Sequence, residues 1–148
     1  MKEVRSSALD LLARREHSSR ELTDKLVAKG YDRSEIAPAL QALSREGLLS
    51  DERFAEAFVS SRLQRGSGPQ RINQELQQRG INTELIDACL DERDEVWFRS
   101  ARQVREKKFG RQLPTDFQER ARQMRFLQYR GFTMAQIRHA VGEEEFEI

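Results

Sequence analysis

Three glycines set the frame for this chain. Lys29-Gly30-Tyr31, Arg79-Gly80-Ile81 and Arg130-Gly131-Phe132 each join a basic residue, a glycine and a large apolar residue, and the glycines stand 50 and 51 residues apart. Four positions before each glycine comes a leucine (Leu26, Leu76, Leu127), and six positions after comes an isoleucine (Ile36, Ile86, Ile137). Ten positions after come Leu40, Leu90 and Val141. A period of this length marks a supersecondary unit repeated along the chain. The column has the chemistry of a helix end: glycine just past the last turn takes the left-handed conformation that closes it, and the large residue behind packs back on the helix. The isoleucine and the residue four positions on then share one face of the next helix. One more helix precedes each pair, carrying Leu11 and Leu12, Phe54 and Phe58, or Trp97 and Ala101. The expected architecture is all-α, three tandem three-helix repeats over residues 1–49, 50–93 and 94–148, the last with an acidic C-terminal tail. The third repeat departs from the others, with Gln123 where Leu22 and Ile72 stand and a longer loop from Phe109 to Pro114, as terminal repeats of a stack often do.

The rest of the chain agrees with helix. Apolar residues recur at three-to-four spacing rather than alternating, and Glu, Gln, Arg, Leu and Ala dominate over Val and Ile. Ser18-Ser19-Arg20-Glu21 reads as a capping box, and Asp32 with Glu35, Thr115 with Gln118 and Thr133 with Gln136 offer related arrangements. Ser50 precedes Asp51 and Glu52, which suit a helix start electrostatically. Pro69 after Gly68 suits a first helical position. These signals predict helices over 3–16, 19–29, 33–46, 51–65, 69–79, 83–92, 94–108, 115–130 and 134–142. Pro38 falls past the first turn of the third and is expected to bend it, or to place its start a residue or two later.

Charge and composition narrow the function. The longest uncharged stretch, Ile36 to Ser44, is nine residues, so no membrane helix is expected, and the N-terminus shows no secretory signal; the expected location is the cytoplasm. The lone Cys89 shares a column with Ala39 and Ala140 and reads as a small packing residue. His17 and His139 lie in different repeats without metal-ligand spacing. Gly66-Ser67-Gly68 reads as a helix–helix loop. No phosphate-cradling motif is present, and neither a metal, a cofactor nor an enzyme activity is expected. The net charge of +1 hides a segregation: Arg93 to Arg138 holds 12 basic against five acidic residues, before Glu143, Glu144, Glu145 and Glu147 close the chain. Two cationic clusters stand out as candidate partner-binding residues. One is Arg62, Arg65 and Arg71; the other is Arg99, Arg102 and Arg105 at spacing three, followed by Lys107, Lys108 and Arg111. Such clusters attract phosphate or acidic protein surfaces.

The run Leu48-Leu49-Ser50-Asp51-Glu52-Arg53-Phe54-Ala55, then Arg62, Gly66-Ser67-Gly68-Pro69-Gln70-Arg71-Ile72, Glu75-Leu76 and Arg79-Gly80-Ile81, resembles the core signature of RecX proteins. Ala8-Leu9 to Leu12, Ser18 to Leu22 and Lys25-Leu26 with Gly30-Tyr31 resemble the family's N-terminal part, so the likeness spans the chain. The resemblance implies an elongated, curved array of the three repeats with right-angled turns. It also implies a monomeric, non-enzymatic regulator that binds RecA and its nucleoprotein filament and limits filament growth, ATP hydrolysis, strand exchange and repressor cleavage. Weak, sequence-independent DNA binding is compatible with that role. Two other readings stay open: a helix-turn-helix-like DNA-binding module and a helical-repeat scaffold for another partner. Against the first, the helices after the glycines begin Arg33-Ser34-Glu35, Thr83-Glu84-Leu85 and Met134-Ala135-Gln136, which are poor in base-reading donors.

Overall fold

The structure, a computed structural model, describes residues 2–143; Glu144, Glu145 and Glu147 of the expected acidic end lie outside the described residues. Among the described residues all regular structure is helical: α1 (Val4–Arg14), α2 (Ser19–Ala28), α3 (Arg33–Arg45), α4 (Asp51–Gln64), α5 (Pro69–Gln78), α6 (Thr83–Cys89), α7 (Glu95–Phe109), α8 (Phe117–Tyr129) and α9 (Met134–Ala140). No helix among these residues is long and apolar enough to cross a membrane.

The glycine columns do what their chemistry predicts. Gly30, Gly80 and Gly131 all have positive φ, at 99°, 79° and 98°. In each turn the glycine N–H bonds the carbonyl three back and the next N–H bonds the leucine carbonyl five back: Tyr31 to Leu26 (3.2 Å), Ile81 to Leu76 (3.1 Å) and Phe132 to Leu127 (3.2 Å). This is a Schellman closure, and it explains the leucine column: the same residue offers the accepting carbonyl and the buried side chain. Tyr31, Ile81 and Phe132 are all buried behind their turns.

Helix starts follow the side-chain code with exceptions. Ser18 with Glu21 and Thr133 with Gln136 form complete capping boxes. The cap of α8 is Asp116 rather than Thr115, its carboxylate accepting from the Glu119 N–H at 2.8 Å, so the helix begins at Phe117. Asp32 makes no side-chain cap; the Glu35 N–H that its carboxylate would receive donates at 3.0 Å to the Asp32 backbone carbonyl instead. α3 nonetheless starts at Arg33 and runs through Pro38. α6 stops at Cys89, short of the expected Glu92, because the Asp91 carboxylate accepts from the Arg93 N–H at 3.0 Å and stabilises a turn in place of helix.

The chain packs as two compact units, one of Met1–Phe58 with Leu76–Cys89 and the other of Val59–Glu75 with Leu90–Ile148. Two of the three divisions fall inside α4 and α5; the third follows the end of α6. In the first unit α1, α2 and α3 pack mutually around Ala8, Leu11, Leu22, Leu26, Ile36, Leu40 and Leu43. In the second, α7, α8 and α9 enclose Ala101, Leu127, Phe132, Ile137, Ala140 and Val141.

One docking arrangement recurs within each unit. In the first, the Gly80 turn meets the start of α2: a Cβ on Gly80 would lie 2.8 Å from the Arg20 Cβ, and the Ser18 hydroxyl donates to the Arg79 carbonyl at 2.8 Å. In the second, the Gly131 turn meets the start of α5: a Cβ on Gly131 would lie 2.3 Å from the Arg71 Cβ. Here the α5 start offers backbone in place of a serine. The Gly68 and Gln70 N–H groups donate to the Arg130 and Gly131 carbonyls at 2.7 and 2.9 Å. Those donors are orphans of the α5 N-terminus, and the acceptors are the C-cap carbonyl of α8 and that of the glycine behind it, so the α8 turn satisfies the helix start.

Candidate partner-binding site

The Gly66-Ser67-Gly68 loop is fixed from the side by one residue. Arg130 Nε and Nη2 donate to the Gly66 and Arg65 carbonyls at 3.2 and 3.0 Å, closing the C-terminal end of α4 with a guanidinium fork. Gly68 has no room for any side chain, since a Cβ there would lie 2.3 Å from the backbone of Gly131 and Phe132. The loop expected to be a plain connection is therefore a docking element within the second unit.

Beside it opens a cleft of about 540 Å³ between the end of α4, α7 from Ser100 to Lys108, and the C-terminal end of α8. Leu63, Val104 and Phe126 supply its apolar lining. Arg65, Lys107, Lys108 and Arg130 supply positive charge, with Gln64, Ser100 and Gln103 between, and no carboxylate lines it. Arg65, Lys107 and Lys108 are exposed, and among the described residues none of the three takes part in an ion pair. The Lys108 ammonium and the Arg130 guanidinium each lie 5.6 Å from the Phe126 ring centroid, and Phe109 meets that ring edge-on at 5.4 Å.

Three of the cations named from sequence thus meet at one place, although they come from separate clusters. The others do not join them. Arg62 is half-buried and bonded to Glu75 at 3.3 Å. Arg71 lies 3.9 Å from Glu75 and over the Tyr129 ring at 5.7 Å. Arg99 is exposed, Arg102 bonds the His139 ring nitrogen at 2.8 Å, and Arg111 is exposed in the α7–α8 loop. Arg105 requires a correction. It is 1% exposed, and its guanidinium donates to the Gly110, Arg111 and Gln112 carbonyls and to the Gln123 side chain at 3.2–3.4 Å. It ties the loop to the core and is closed to a partner. Spacing three drifts round a helix, so residues six apart face about 120° from one another. Gln123, the polar departure in the third repeat, is Arg105's buried partner.

Arg130 and Phe126 were not among the residues singled out for binding. A signal for Arg130 existed in the repeat itself, because the basic residue before each glycine is a column. Arg79, its counterpart in the first unit, likewise lies over an aromatic ring, Phe58 at 4.7 Å.

Two other titratable groups sit apart from the cleft. His17 is 1% exposed; its Nδ1–H donates to the Arg15 carbonyl and its Nε2 accepts from Lys25 at 2.9 Å. Burial, with the charges of Arg15 and Lys25, holds it below the ordinary histidine value despite that carbonyl. Burial pushes the Cys89 thiol up, which favours its protonated form.

Comparison with known proteins decides the family. Residues 5–43, 50–90 and 94–141 match the family models of the first, second and third three-helix domains of RecX. This chain belongs to the RecX family. A protein of Halorhodospira halophila named regulatory protein RecX is 53% identical over 139 residues, covering 94% of this chain and 86% of its own. One of Pseudomonas fluorescens strain SBW25, with the same name, is 45% identical and covers 97% and 93%. Two RecX crystal structures share the fold. One superposes with a TM-score of 0.80 at 24% identity, covering 95% of this chain and 72% of its own. The other, from Lactobacillus salivarius, gives 0.79 at 19%, covering 95% and 93%. The chain is accordingly a regulatory protein of the RecX type, and its all-helical fold of three-helix domains is that of the family.

Proposed function

We propose that this chain is a non-enzymatic regulator, mainly an inhibitor, of the RecA recombinase. It binds the RecA–single-stranded DNA filament in the cytoplasm as a monomer, limits filament extension, and so lowers ATP hydrolysis, strand exchange and repressor cleavage during DNA repair and the SOS response. The observation that carries this reading is the match of three successive RecX domains over nearly the whole chain. The unpaired cations Arg65, Lys107 and Lys108 suit an acidic protein surface or DNA phosphate, with Arg71, Arg99, Arg102 and Arg111 as further exposed contacts. A base-reading role is less well supported by α9, where Gln136 at the helix start is buried and bonded to the Thr133 N–H and the Glu92 carbonyl. The test is a titration into RecA-coated single-stranded DNA, following ATP hydrolysis and filament length together. Both are expected to fall with added protein. If neither changes at stoichiometric protein, the reading is wrong.

A further inference from the structure

We infer that the cleft between α4, α7 and α8 receives an acidic protein segment by one large apolar side chain flanked by carboxylates. The inference deepens the regulatory reading by assigning the kind of partner surface this site takes.

Its volume of about 540 Å³ lies within the roughly 300–1,000 Å³ of ordinary ligand sites. The lining is apolar, from Leu63, Val104 and Phe126, while the charge is of one sign. Like charges gathered without a counterion repel one another, and an incoming carboxylate relieves that repulsion. The apolar lining needs a different complement, a side chain that displaces water from Leu63 and Val104. A segment with both features satisfies both halves of the site.

Single-stranded nucleic acid would satisfy only the charge. Sequence-tolerant binding of single strands relies on aromatic faces on which bases stack. Here Phe126 already carries Lys108 and Arg130 at 5.6 Å and Phe109 at its edge, and Phe109 lies beneath Arg122 at 4.9 Å. The cleft wall is also preformed: Arg130 bonds the Arg65 and Gly66 carbonyls, and Gly68 bonds the Arg130 carbonyl. A ligand therefore does not have to order the α4–α5 loop on binding.

The test uses the full-length chain and a fluorescein-labelled ten-residue peptide with one phenylalanine among glutamates. A second peptide has that phenylalanine replaced by serine, and fluorescein-labelled oligothymidylate is titrated in parallel, with the unlabelled first peptide as its competitor. Anisotropy is expected to show binding of the first peptide, at least tenfold weaker binding of the second, and at least tenfold loss for Lys107→Glu with Lys108→Glu. The same charge change at the exposed Arg33 and Arg45, in the other unit, is expected to shift affinity less than twofold. Equal binding of the two peptides, or no effect of the lysine reversals in a variant with unchanged thermal melting, overturns the proposal. Oligothymidylate that binds through the lysines, with the peptide unable to displace it, assigns the cleft to nucleic acid instead. Peptide binding that appears only after removal of residues 144–148 assigns it to the chain's own acidic end. The RecA titration is read separately: inhibition without peptide binding defeats the cleft proposal alone, and peptide binding without inhibition defeats the RecA reading alone.

Discussion

Two glycines outside the repeated columns carry different constraints. Gly47 has φ of 76° and nothing within 4 Å of where a Cβ would stand, so Gly47→Ala meets only the left-handed backbone. That is expected to cost about 1 kcal/mol. A Cβ on Gly68 would stand 2.3 Å from neighbouring backbone, which cannot move aside as a flexible side chain can. Gly68→Ala is expected to cost about 2–3 kcal/mol or to open the α5–α8 contact. Urea midpoints of the two variants check the order. Arg105 offers a comparable contrast with Arg99. Replacing Arg105 by Ala leaves three loop carbonyls and Gln123 without their donor, an expected loss of about 2–3 kcal/mol. Lys at the same site should not restore it, since one ammonium cannot reproduce the planar fork. Arg99→Ala, on the exposed face, should change stability by less than about 0.5 kcal/mol.

At the scale of an element, α2 shows how capping and docking share atoms. The Ser18 hydroxyl accepts from the Glu21 N–H at 3.1 Å and donates to the Arg79 carbonyl at 2.8 Å. Glu21 returns a bond to the Ser18 N–H; burial opposes its ionisation, but bonds from Arg15 and Ser18 hold it below the ordinary glutamate value. His17, just before the cap, is also held down. For both groups the unfolded chain takes up the proton first as pH falls, so both stabilise the fold at neutral pH and lose that effect in acid. Histidine acts first, from about pH 6.5 downward, and the glutamate below about 4.3. Urea midpoints measured between pH 8 and 5 should therefore fall on the acid side, and His17→Gln should remove the histidine part of that slope. A flat wild-type profile over that range would contradict the neutral, buried imidazole.

Across the whole molecule, the three-helix repeats of the sequence and the two compact units are not the same objects. The middle repeat contributes residues to both units, and Ile72, fully buried, belongs with the third repeat's helices in the second. A fragment of residues 1–93 lacks the Arg130 and Gly131 carbonyls that hold the Gly68 and Gln70 amides. In hydrogen exchange, Gln70 should exchange about a hundredfold faster in the fragment than in the full chain, while the Leu22 and Leu26 amides keep their protection. Retained protection at Gln70 would show that α5 does not depend on the third repeat. The all-helical class, the closures at Gly30, Gly80 and Gly131 and most helix starts were legible in the sequence. Their causes lie within one turn: a cap bonds three residues on, a Schellman closure bonds five residues back, and amphipathic spacing records which side is buried. The Thr115 and Asp32 caps failed where neighbouring side chains and backbone compete for the same donors. The site was legible only in part. Sequence shows where cations are dense, but Arg65 and Lys108 lie in different repeats, and only packing brings both beside Phe126. Packing likewise took Arg105 out of solvent, because the carbonyls that receive it exist as a group only once the α7–α8 loop is folded. Local bonds along the chain determined the helices; contacts between distant segments decided which charges are left to meet a partner.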